Sequence, residues 1–127
     1  MTKRIIQTPL APSSPLFSQG VRVGSTIYVS GMVGVDAETK ELAGDTIQAQ
    51  TRQALLNGEA IVVAGGGTRD DIAQITVLLA DPDDFAGMND AYAEAFPTEP
   101  PARAVARLGP VLPGILVSIM MTAQLDA

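Results

Sequence analysis

Apolar positions recur along this chain with two periods. Between Thr46 and Ala64, the small or apolar residues Ile47, Thr51, Ala54, Leu55, Gly58, Ile61 and Val62 fall on one face of a 3.6-residue helix. Asp45 is the predicted N-cap, and Gly65-Gly66-Gly67 the stop. Phe85, Met88, Tyr92 and Phe96 repeat with helical spacing. They follow Asp81-Pro82-Asp83-Asp84, a helix start with a capping aspartate, a proline in the first turn and acids at the positive dipole end. Pro97 to Pro101 ends that second helix.

The remaining apolar runs are strand-sized. Ile5-Ile6 predicts a short first strand. After the Pro/Ser-rich connection Thr8 to Pro15, Phe17 to Val23 reads as extended. Gly24-Ser25 turns a hairpin into the β-branched and aromatic run Thr26 to Ser30. From Gly31 to about Gly44 the chain reads as loop, with a turn at Glu38-Thr39-Lys40. Ile72 to Leu79 is a buried-type strand, and two more run from Arg103 to Leu108 and from Ile115 to Ala123. The order β-β-β-α-β-α-β-β predicts a single α+β domain over residues 1–127, a mixed six-stranded sheet with two helices packed on one face. In the last strand, Ile115-Leu116-Val117-Ser118-Ile119-Met120-Met121 is apolar on both alternating faces. Two helices cover one face of a sheet, so the other face predicts subunit association; a central strand in a thick monomeric core is the plainer alternative.

Composition narrows the chemistry. The chain has 127 residues, a net charge of −6, no cysteine and no histidine. Thiolate, imidazole and zinc-cysteine chemistry are therefore absent from its side chains. The acidic balance, the scattered lysines and arginines, and only two tyrosines and three phenylalanines argue against a nucleic-acid surface. No apolar run reaches the roughly 18 residues of a membrane span. Met1 to Ile6 lacks the apolar core of a signal peptide, so the expectation is a cytoplasmic protein.

Several motifs have structural readings that suffice. Gly65-Gly66-Gly67 lacks the Lys-Ser/Thr of a phosphate loop and follows a helix, so it reads as a helix end. Asp81, Asp83 and Asp84 lack the spacing of a calcium loop and read as capping. No metal site is expected. Tyr92 and Phe96 read as core residues. Asn89, an amide near a buried face, needs partners. Ser30-Gly31 closes a strand, where glycine permits close approach of a ligand, another chain or a plain turn. Arg103, in Pro100-Pro101-Ala102-Arg103, is a costly charge before an apolar run. Its planar fork matches a carboxylate in two hydrogen bonds, either of this chain or of a ligand.

Taken together, Tyr28-Val29-Ser30-Gly31, Gln50 to Asn57, Asp71-Ile72 through Val77, Asp84 to Asn89 with Tyr92, and Pro101-Ala102-Arg103 resemble the RidA family, also called YjgF or reactive-intermediate imine deaminase. The resemblance implies a chorismate-mutase-like fold, a homotrimer around a central barrel, and clefts between subunits. It also implies hydrolysis of 2-imino acids, or their enamine tautomers, to 2-keto acids and ammonia without metal or organic cofactor. Arg103 would clamp the substrate carboxylate, while Phe17, Ser30, Gly31, Asn89 and Met120 would line the cleft. Two positions depart from the family pattern. Met120 stands where active members carry a water-positioning glutamate, and Phe17 where they carry a tyrosine. The expectation is thus a trimer that binds a small 2-keto or 2-imino acid and has weak or altered deaminase activity. A non-catalytic metabolite-binding or partner-binding trimer is the alternative, and an endoribonuclease or translation inhibitor a weaker one.

Overall fold

The computed structural model describes residues 2–126. Six strands, β1 (Arg4–Ile6), β2 (Gly20–Val23), β3 (Thr26–Val33), β4 (Ile72–Leu79), β5 (Ala102–Arg107) and β6 (Val117–Gln124), form one sheet in the order β1-β2-β3-β6-β4-β5. Only β4 and β5 run parallel, and the helix α2 (Phe85–Ala95) lies between them in the chain. A parallel pair needs such a crossover. The other helix, α1 (Ile47–Ala64), packs on β3, β6 and α2.

Every residue of the predicted α1 stripe is buried. The helix starts one residue later than predicted. Thr46, not Asp45, is the N-cap, and its side chain accepts from the Ala49 backbone N–H at 3.2 Å. Both residues have cap chemistry; a start after Thr46 turns Ile47 and Gln50 inward. At the other end Gly66 takes a φ of +102°, which only glycine adopts without strain, and the Gly67 N–H returns to the Val62 carbonyl at 2.9 Å. The second helix begins as predicted with Asp81, whose side chain caps a short 3-10 turn at Pro82–Asp84 that leads into α2.

In β6, Val117, Ile119, Met121 and Ala123 are buried beneath the helices. The opposite face is less apolar than expected, because Ser118 and Thr122 alternate with Met120. In the single chain that face is open: Met120 is 47% exposed and Tyr28, beside Thr122, is 51% exposed. Ile115 and Leu116 lie before the strand rather than in it. The third strand also differs, running on to Val33 instead of ending at Ser30. Between the pairs Val29–Met121 and Met32–Ile119, two residues of β3 face one of β6, so the ladder absorbs Ser30-Gly31 as a bulge and resumes.

Candidate active site

Three buried amides fix the loops around the sheet. Gln50 donates to the Gly44 and Gly114 carbonyls at 3.0 and 2.9 Å and accepts from the Leu116 N–H at 2.9 Å. Asn57 donates to the Val33 and Val35 carbonyls at 3.0 and 2.8 Å. Gln19 gathers the N-terminal connection through the Thr8, Ala11 and Pro12 carbonyls. These side chains hold the scaffold in place, a role that the helical pattern did not assign to them.

On that scaffold the predicted residues fall into two groups. The first surrounds Arg103. Its partner in the sheet is Ile75, a fully buried core residue, so Arg103 projects to the helix-covered side of β5, at the sheet edge. There Asn89 Oδ1 accepts from Arg103 Nη1 at 2.7 Å. The guanidinium carbon lies 4.8 Å from the Tyr92 ring centroid and 5.8 Å from that of Phe85. Tyr92 is therefore both core residue and floor for the arginine. Burial pushes its hydroxyl above the ordinary tyrosine value, while Arg103 pulls it back. Phe85, expected on the buried stripe of α2, is half exposed and stands beside the guanidinium.

The internal ion pair that the sequence left open does not form. Among the described residues no carboxylate comes within 4.0 Å of Arg103. Its Nη1 is taken by Asn89, with the Met88 sulfur at 3.9 Å; Nε and Nη2 have no acceptor among the described residues. Arg52 shows what that edge can hold. Its Nε and Nη2 grip the two carboxylate oxygens of Glu94 at 2.8 and 3.1 Å. Arg103 thus presents a pre-set, side-on fork with no anion from the described residues in it.

The second group lies along β3 and β6. Met120 faces the Ser30-Gly31 bulge. Ser30 is tied to the segment after Phe17, its hydroxyl donating to the Ser18 carbonyl at 2.6 Å and its N–H to the Gln19 carbonyl at 2.9 Å. Phe17 is half exposed beside that segment. A Cβ at Gly31 would come within 2.8 Å of Ser118 Oγ, so a larger residue at the bulge would require the Ser118 hydroxyl to turn away.

Within one chain the two groups do not meet. Thr76 pairs with Met120 and Ala104, whereas Ile75 pairs with Met121 and Arg103. Met120 and Arg103 consequently project from opposite faces of the sheet, two strand spacings or about 10 Å apart.

The profile of the endoribonuclease L-PSP family matches residues 8–125. The chain belongs to the RidA (endoribonuclease L-PSP) family. A RutC family protein of Saccharolobus solfataricus is 38% identical over 124 residues, covering 96% of this chain and 98% of that one. The human 2-iminobutanoate/2-iminopropanoate deaminase is 34% identical over 97% of this chain and 90% of its own length. The crystal structure of RidA from the Antarctic bacterium Psychrobacter sp. PAMC 21119 superposes with a TM-score of 0.89 at 36% identity, covering 96% of this chain and 99% of that one. The RidA fold, with its six-stranded mixed sheet and two helices, is thus the fold of this chain. No helix among the described residues is long and apolar enough to cross a membrane.

Proposed function

We propose that this RidA-family chain binds small 2-oxo and 2-imino acids through Arg103, in a cleft completed by a second copy within a homotrimer. The observation that carries this reading is the free Nε/Nη2 edge of Arg103, held in position by Asn89 and Tyr92. Each charge-assisted bond to a ligand carboxylate contributes about 1.5–3 kcal/mol. The opposite facing of Arg103 and Met120 supports completion by another subunit, since one chain cannot bring both against a single ligand. The open sheet face with Tyr28 and Met120 offers the surface for that association.

A carboxylate fixed at two points orients the adjacent imine carbon toward water. Water adds to that carbon, the C–N bond breaks, and ammonia leaves with the 2-oxo acid as the other product. A protonated imine carbon is already electrophilic, so orientation supplies part of the acceleration. A positioned acid or base would add about 10²–10⁴-fold. Met120 stands where the family pattern has a glutamate, and a thioether neither accepts that proton nor aligns the water. Turnover is therefore slow compared with members that carry the glutamate. The same residue favours the second reading, a trimer that binds such acids without converting them.

The test generates 2-iminobutanoate in situ and follows ammonia release, with sedimentation to give the oligomeric state. A rate above the uncatalysed one that is lost in Arg103→Ala supports the enzyme. A rate equal to the uncatalysed one removes the enzyme and leaves the binding protein. A monomer in solution removes the intersubunit cleft.

A further inference from the structure

Arg103 is not alone on its face of β5. Val105 and Arg107 pair with Val77 and Leu79, both buried, so all three side chains project to the same side of the edge strand. Between and beside them lies a concavity of about 460 Å³ lined by Leu79, Pro82, Phe85, Val105, Ala106 and Arg107. Phe85 joins the two regions: it lines this hollow, and its ring lies 5.8 Å from the Arg103 guanidinium carbon. The apolar hollow and the Arg103 guanidinium thus share Phe85 as a common wall.

We propose that this hollow receives the side chain of the ligand, so that the protein prefers 2-oxo and 2-imino acids with leucine-sized apolar side chains over the short two- and three-carbon-tailed acids. The inference rests on Arg103 as the carboxylate clamp. The lining decides the chemistry of the tail. Five of the six residues present carbon, and a half-exposed phenylalanine at the mouth loses water when a tail covers it. Arg107, about 13 Å along the strand from Arg103, raises the rival of a second carboxylate at the far end. No carboxylate lies within 4.0 Å of Arg107 among the described residues. Yet Pro82 brings Asp81, Asp83 and Asp84 to that end of the hollow. Burial pushes the Asp84 carboxyl above its ordinary range, and the neighbouring Asp81 and Asp83 add a smaller push in the same direction. The three carboxylates near Pro82 offset the attraction of Arg107 for a further anion, whereas an alkyl group needs neither.

Calorimetry with three stable 2-oxo acids tests the proposal: 2-oxobutanoate, 4-methyl-2-oxopentanoate and 2-oxoglutarate. Two additional buried carbons give about tenfold tighter binding of 4-methyl-2-oxopentanoate than of 2-oxobutanoate. Phe85→Ala and the near-isosteric Val105→Thr both bring that ratio to within about twofold of unity. The ratio is the readout, so a general change in affinity does not mimic the effect. 2-Oxoglutarate binds more weakly than either. If the wild-type ratio is near one, or 2-oxoglutarate binds tightest, while 2-oxobutanoate still depends on Arg103, the apolar subsite is wrong and the clamp stands. If 2-oxobutanoate binding does not depend on Arg103, the clamp falls and the subsite falls with it.

Discussion

An amide rather than a carboxylate at position 89 is what leaves Arg103 available, and Asn89→Asp tests this. The replacement keeps shape and places a charge 2.7 Å from Nη1 of Arg103. A ligand carboxylate on the Nε/Nη2 edge then lies about 6 Å from the new one across the guanidinium. At an effective dielectric of about 20, that repulsion is about 3 kcal/mol, a loss of about a hundredfold in affinity. Asn89→Ala provides the control. It removes the restraint on the arginine without adding charge, which costs about 0.5–1.5 kcal/mol, or about two- to tenfold. Calorimetry with 2-oxobutanoate should thus rank wild type above Asn89→Ala, and Asn89→Asp last. The pH dependence has a definite sign. Arg103 holds the new carboxyl below the ordinary aspartate range, so the charged form prevails above that lowered value and binding returns only as the pH falls through it. The new ion pair does not destabilise the fold, so unfolding does not account for the loss. Asn89→Asp binding as tightly as Asn89→Ala would refute the reasoning.

Two further predictions concern the scaffold. Gln50→Ala removes three hydrogen bonds that join α1 to the loops at Gly44 and Gly114; at about 1 kcal/mol each it should destabilise by about 3 kcal/mol in urea unfolding, and a loss under about 1 kcal/mol would mean that the loops hold without it. Tyr92→Phe should be neutral or stabilising by about 1 kcal/mol, because the Tyr92 hydroxyl is buried without a hydrogen-bond partner; destabilisation in the same assay, or loss of 2-oxobutanoate binding, would show that the hydroxyl has work of its own.

Much of the fold was legible because burial and period coincide in it. The α1 stripe, the glycine stop, the Asp81-Pro82 start and the six strands all follow from local pattern. Gln50 and Asn57 escaped that pattern for a physical reason. Both are polar and at most 1% exposed, and partners such as Gly114 in a loop and Val33 at the end of β3 are brought close only by the tertiary fold. The Ser30-Gly31 bulge escaped because register depends on β6, far away in sequence. Phe85 has the right spacing for the buried stripe, yet α2 begins at it, and the first turn extends past the core to Arg103. Arg103 itself was legible as a charge needing an anion. That the described residues provide none, and that Met120 projects from the opposite face, required the structure.

The central claim is that the free edge of Arg103 takes the carboxylate of a small 2-oxo acid. Titration of 2-oxobutanoate into wild type and Arg103→Ala tests it most directly. Loss of two charge-assisted bonds, about 3–6 kcal/mol, predicts binding to the wild type and a loss of at least about a hundredfold in the variant. Equal affinity in the two proteins would contradict it.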